Sequence, residues 1–120
     1  MVKLIIQGRL PGLNEYIAAC RTNRYAGANM KQETETAIQW EIQNQLRSKT
    51  FSSVSLTFHW YETNKKRDKD NIAFAKKFIL DALQDTGTIP GDGWKAVDGF
   101  KDRFYVDRKN PRVEIEIEAV

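Results

Sequence analysis

The chain has 120 residues, 41% of them hydrophobic and 29% charged, with one cysteine and a formal net charge of +3. That length and mixture fit one globular domain, and they exclude a disulfide-stapled scaffold, a disordered polyelectrolyte and a membrane span. The excess of 19 Lys and Arg over 16 Asp and Glu is too mild to name a partner by itself, so the position of the charges carries the information.

Val2 to Gln7 is a short aliphatic run ending at Gly8 and predicts a buried strand. It has neither the length nor the small-residue cleavage site of a signal peptide, and with a lone Cys20 the expected location is cytoplasmic. Leu10-Pro11-Gly12-Leu13-Asn14 is turn-rich, and Glu15 to Gly27 lacks a clear period, so a loop carrying Arg21 and Arg24 is expected there. Asn29 with Gln32 forms a weak capping box for a helix over Met30 to Arg47, in which Met30, Thr34, Ala37, Ile38, Ile42 and Leu46 follow helical spacing. Val54, Leu56, Phe58 and Trp60 alternate with polar residues and predict a half-buried strand. After a basic connection, Asn71 to Gln84 predicts a second helix, stopped by Thr86 to Gly93. Ala96 to Val106 and Arg112 to Val120 predict a β-hairpin turning at Asp107 to Pro111, with a bulge at Gly99 and with Val113, Ile115 and Ile117 facing inward. The order β-α-β-α-β-β implies a single α/β (α+β) domain over residues 1–120, a mixed β-sheet with two helices packed on it.

The chemistry concentrates in Lys66-Arg67-Asp68-Lys69-Asp70-Asn71. On a helix Asp68 and Asp70 would point roughly 200° apart, whereas in an extended segment they share a side. The reading therefore needs extended chain there, with Asp70 or Asn71 as the cap of the helix that follows. Two carboxylates side by side repel, and a hard divalent ion relieves this while taking oxygen ligands. Lys65, Lys66, Arg67 and Lys69 around the pair suit a phosphate-bearing substrate. A D-x-D pair beside lysines is also an ordinary solvated turn, and by itself the motif favours that bland reading. Asp92, between Gly91 and Gly93, is a possible third ligand or simply a turn residue. Lys77 lies seven residues after Asp70, about 20° away on a continuous helix, and fits either a phosphate contact or an i,i+4 pair with Asp81. His59, the only histidine, sits in the polar phase of its strand and excludes a histidine-rich metal site.

Arg67-Asp68-Lys69-Asp70-Asn71, then Leu80-Asp81-Ala82-Leu83, Gly87 and Asp92, resembles the RusA family of Holliday-junction resolvases, and Leu10-Pro11-Gly12-Leu13-Asn14 is similar to that family's early P-x-x-N segment. The resemblance implies a homodimeric α/β endonuclease of bacterial or prophage type, cutting four-way DNA junctions with Mg²⁺ or Mn²⁺ in recombination and repair. It implies Asp68, Asp70 and Asp92 as metal-binding acids. The family often has two adjacent acids where Asp92 is followed by Gly93, and its functional lysine falls where this chain has Phe74. Aligning back from Leu80-Asp81-Ala82-Leu83 gives that role to Lys77, with Lys76 in reserve. Arg21, Arg24, Lys31, Lys65, Lys66, Arg67, Lys69 and Lys76 are the candidate DNA contacts. A nuclease acting on flaps or duplex, and a non-catalytic binder of branched DNA, are the competing expectations.

Overall fold

The computed structural model describes all residues, Met1–Val120, as one four-stranded mixed sheet with helices packed on it. In chain order the elements are β1 (Val2–Gln7), α1 (Leu13–Thr22), α2 (Ala26–Leu46), β2 (Val54–Glu62), α3 (Lys69–Ala73), α4 (Lys76–Asp85), β3 (Val97–Val106) and β4 (Arg112–Ala119). The spatial order is β1-β4-β2-β3, antiparallel except for the parallel pair β2·β3.

One face of the sheet makes the core. Leu4 and Ile6, then Val54, Leu56, Phe58 and Trp60, then Val113, Ile115 and Ile117 are buried in the alternating phase that strand geometry requires. Ile38, Ile42 and Leu46 from α2, and Phe78, Ile79, Ala82 and Leu83 from α4, close over them. The other face is polar, with His59, Glu114 and Glu116 among its side chains. The outer edge of β1 is closed by Gln45, whose amide accepts from the Ile5 N–H at 2.8 Å and donates to its carbonyl at 2.7 Å, as a neighbouring strand would.

Four sequence expectations are corrected. The last two strands form, but not as a hairpin, because β2 lies between them. β2 is buried on alternate residues along its whole length and takes a backbone partner on both edges, so the five residues after β3 cross its end. Asp107 marks that crossing by donating its N–H to the Glu62 carbonyl at 2.7 Å. Second, Glu15 to Gly27 is not a loop. α1 has no buried residue and hence no apolar stripe to find. It is held instead by its ends and by Tyr16, which packs on Phe74 and Phe78 at 5.5 and 5.9 Å. Third, α2 starts at Ala26 rather than beyond Asn29. Asn23 sets that start, its side-chain oxygen accepting from the N–H groups of Tyr25 and Ala26 at 2.9 Å each. Gly27 packs there so closely on Cys20 that a Cβ would lie 2.4 Å from its sulfur.

Fourth, the helix expected over Asn71 to Gln84 is two helices, giving four helical segments rather than two. At Phe74 and Ala75 the bonding tightens: the N–H of Ala75 bonds the Ile72 carbonyl and that of Lys77 the Phe74 carbonyl, three residues back. No Gly or Pro marks this step. The bulge lies where expected, with Ser55 opposite Gly99 while Val54 opposes Val97, so Asp98 is the extra residue.

One carboxylate sits inside the α2–α4 contact. Glu35 is buried, and its Oε2 has no hydrogen-bond partner, although the Lys31 ammonium lies 3.5 Å away. Burial raises its pKa above the ordinary value, opposed by Lys31 and assisted by Asp81. An acid whose folded pKa is raised contributes stability that is complete below the ordinary carboxylate range and is lost as pH rises through the folded value. Urea unfolding should therefore show the wild type losing stability between about pH 4 and about pH 7, with Glu35→Gln flattening that slope.

Candidate active site

β2 and β3 run parallel, and their carboxyl ends meet at a cleft of about 570 Å³. Such strand ends are where open α/β sheets place ligands. Asn64, Lys65, Asp68, Lys69 and Asp70 line one side, and Phe104, Tyr105 and Val106 line the other.

The loop that carries the acids is anchored from below. Glu62, the last residue of β2, falls in the buried phase of the strand and is 5% exposed. Its carboxylate accepts from Arg67 Nε and Nη2 at 3.0 and 2.7 Å, and from Arg9 at 3.1 and 3.2 Å. Arg67 Nη1 also donates to the Leu10 carbonyl at 3.1 Å and to Glu15 at 2.9 Å. Burial works against the Arg67 charge, but the hydrogen bonds and attraction of Glu62 and Glu15 outweigh it, so its pKa is raised. A second tie joins α1 to α3: Asn71 accepts from the Asn14 N–H at 2.9 Å. Gly12 lies so close beneath it that a Cβ there would stand 2.6 Å from the Asn71 side-chain oxygen. The Pro11-Gly12 turn is thus a packing requirement.

Asp68 and Asp70 share the cleft, although by a different geometry from the one expected. The helix begins at Lys69, so Asp70 is already in its first turn and only Asp68 is extended, at φ −68° and ψ 155°. Asp68 is the cap residue yet makes no side-chain cap bond, and Asp70 accepts only from the N–H of Asn71 at 3.0 Å. Neither carboxylate takes part in any ion pair.

The other site candidates are distributed around this pair. Asp92 is exposed, stands apart from the cleft lining, and meets the Lys77 ammonium at 3.2 Å. Lys77 pairs with Asp81 at 3.1 Å as well, and these two partners, Asp81 first, raise its pKa. The continuous stripe from Asp70 to Lys77 is broken by the step between α3 and α4. Lys76 turns to β3, 2.6 Å from Asp102 and 3.8 Å above the Phe100 ring. Lys31 pairs with Glu35 and Asp81 at 3.5 Å each. Lys65, Lys66 and Lys69 are exposed beside the acids, while Arg21 ends α1 and Arg24 stacks on Tyr25 at 4.9 Å.

No three Asp, Glu, His or Cys side chains stand close enough to hold a metal ion together. Two exposed carboxylates without a local counter-charge nonetheless match the donor set of a hard divalent cation, since Mg²⁺ commonly uses one or two carboxylates and fills its other positions with water and phosphate. Asp68 and Asp70 fit such an ion; Asp92, as it lies here, does not join them.

Sequence reading missed Glu62 and the aromatic wall. For Glu62 the signal was present: an acid in the apolar phase of a strand, five residues before an arginine. For Phe104 to Val106 it was absent, because their place beside the aspartates depends on strand order.

Fold and cleft together define a small single-domain α+β protein with a cation-flanked carboxylate pair suited to a phosphate-bearing substrate. The sequence matches the family model described as Endodeoxyribonuclease RusA over residues 12–118, and the chain belongs to that family of DNA endonucleases. No curated protein matches the chain.

The anchor is open to measurement. Arg67→Ala leaves a buried carboxylate with only Arg9, and chemical denaturation should show a loss of about 3–5 kcal/mol. Lys3→Ala, at the exposed Lys3–Glu114 pair, should cost less than about 1 kcal/mol in the same assay.

Proposed function

We propose that the protein cuts four-way DNA junctions by metal-dependent phosphodiester hydrolysis in recombination and repair, acting as a homodimer. The observation that carries this is the pair Asp68 and Asp70: two carboxylates in one cleft, amid lysines, with no cation bound to either. Asp68 and Asp70 hold the Mg²⁺ or Mn²⁺, and Asp92 is the third acid, drawn from Lys77 when substrate and ion bind. The bound ion supplies a water of lowered pKa and charge stabilisation at phosphorus.

The chain's own groups do the rest. Lys77, released from Asp92, steadies negative charge on the phosphate while Asp81 still holds its ammonium. Lys65, Lys66 and Lys69, with Arg21 and Arg24 further off, contact the backbone and position the DNA without reading sequence. Arg67, Lys31 and Lys76 serve the same electrostatic field, and each also holds a protein carboxylate. A two-fold dimer provides two clefts for paired nicks across a symmetric junction.

The Asp92–Lys77 pairing favours one second reading, a protein that binds junctions without cutting them, since it occupies both the third acid and the lysine.

Cleavage of a synthetic four-way junction, a matched duplex and a flap should be compared with Mg²⁺, Mn²⁺ and a chelator. The junction should be cut fastest and only with the ion. Asp70→Asn should lower the rate by more than the ~10–100-fold typical of losing an outer-shell partner of a metal. Equal rates on duplex would remove the junction preference, and an equally active Asp70→Asn would remove the metal mechanism. Tight junction binding by an inactive wild type would establish the second reading. Sedimentation at micromolar concentration should show a dimer.

A further inference from the structure

The cleft holds more than a phosphate requires. A phosphodiester and its counter-ion call for oxygen ligands and cations, which Asp68, Asp70, Lys65 and Lys69 provide. The opposite wall is apolar and open: Tyr105 is 39% exposed and Val106 50% exposed, with Phe104 beside them. Apolar surface left in water costs about 25 cal/mol per Å² relative to burial, so a wall of this kind beside a charged site is suited to a ligand with an apolar face.

The wall is also rigid. The Tyr105 ring stacks on Tyr61 with centroids 4.6 Å apart and planes 17° from parallel. Its hydroxyl meets His59 Nδ1 at 2.9 Å. The Arg112 guanidinium lies 3.8 Å over Tyr61 and is itself fixed by Glu114 at 2.6 Å and Asp107 at 2.9 Å. Tyr105 is therefore held in place before any ligand arrives, and a partner stacking on it orders little that is not already ordered. On the same wall, the Lys69 ammonium is 5.7 Å from the Phe104 ring, near enough to serve both this surface and a backbone phosphate.

We propose that Tyr105, with Phe104 and Val106, forms a subsite for an unstacked nucleobase of the DNA strand whose phosphate lies at Asp68 and Asp70. This rests on the reading of the cleft as the site for branched DNA. In an intact duplex the faces of the bases are stacked on one another, and only a base freed at a branch point or a flipped base presents a π-face to a side chain. The subsite thus selects for branched over plain duplex DNA from within the active cleft. The mixture of lysines with aromatic rings favours a base over an apolar protein segment, because the ligand must bring negative charge together with its flat face.

The test measures binding, with cleavage scored separately. Four-way junctions carrying 2-aminopurine, or an abasic residue, at one position at a time around the branch are titrated with protein in Ca²⁺. At one position the wild type should change the 2-aminopurine fluorescence, and Tyr105→Ala should abolish that change. Tyr105→Ala should weaken binding of the intact junction by roughly 5- to 150-fold, the range for losing one stacked base, with no further loss on the junction abasic at that position. Tyr105→Phe should restore the dependence on the base. Val106→Ser, which leaves the stack on Tyr61 in place, should show a smaller loss with the same dependence and keeps the test valid if Tyr105→Ala misfolds. Equal losses on intact and abasic junctions at every position would overturn the subsite while leaving the nuclease reading intact. Base-dependent binding without cleavage would uphold the subsite and overturn the nuclease reading. A Tyr105→Ala protein that changes its sedimentation would overturn the subsite by making the wall an interface between two copies. A wild type that binds no junction would overturn both.

Discussion

The carboxylate of Glu62 closes the core phase of β2 and receives Arg67 through two hydrogen bonds, and the placement of the site follows from that contact. Arg67 directly precedes Asp68, so fixing its guanidinium fixes the backbone from which the first acid projects. The same guanidinium reaches Glu15 and the Leu10 carbonyl, tying α1 and the turn before it to the loop. A buried pair of this kind is often no more stabilising than an apolar replacement of similar size. Its value here is positional. It also has an electrostatic consequence: Glu62 takes both Arg67 and Arg9, so neither arginine is left to neutralise Asp68 or Asp70.

The same division of charge runs through the molecule. Lys31, Lys76 and Lys77 are engaged by Glu35, Asp102, Asp81 and Asp92, and Arg112 by Asp107 and Glu114. Lys65, Lys66 and Lys69, adjoining the acids, have no such partner. A mild net charge of +3 therefore conceals a local excess of free cations beside an acidic pair. Overall charge says little about a substrate, whereas the unpaired charges, once the pairs are removed, form a compact group at the cleft.

What could be read before the structure, and what could not, follows from whether the cause was local. β1, β2 and β4 were legible because their burial follows a period of two, and the second half of α2 because Ile38, Ile42 and Leu46 follow the helical period. α1 was invisible because its stability comes from Glu15 at its cap, Asn71 from α3 and the packing of Tyr16, none of which leaves an apolar stripe. The step at Phe74 was invisible because no residue there demands it. The aspartates were found by motif, but through a geometry that required both to be extended. The structure brings them together with one extended and one in the first turn of a helix.

Strand order was the decisive non-local fact. Had β3 and β4 formed the expected hairpin, β3 would have run antiparallel to its partner, and Phe104 to Val106 would have had no reason to lie near the loop after β2. Pairing β3 parallel to β2 requires the chain to return to the start of the sheet, which α3, α4 and the segment after them accomplish. A parallel pair necessarily ends on the same side. The end of β2 launches the loop bearing Asp68 and Asp70, and the end of β3 supplies the aromatic wall, so one topological choice puts charged chemistry and a flat apolar surface in the same cleft. The price is the crossing from β3 to β4 over the end of β2, secured by the Asp107 N–H on the Glu62 carbonyl. Glu62 thus holds the site with its side chain and the crossing with its backbone, which is why an acid at the end of a central strand matters more to this fold than its exposed neighbours do.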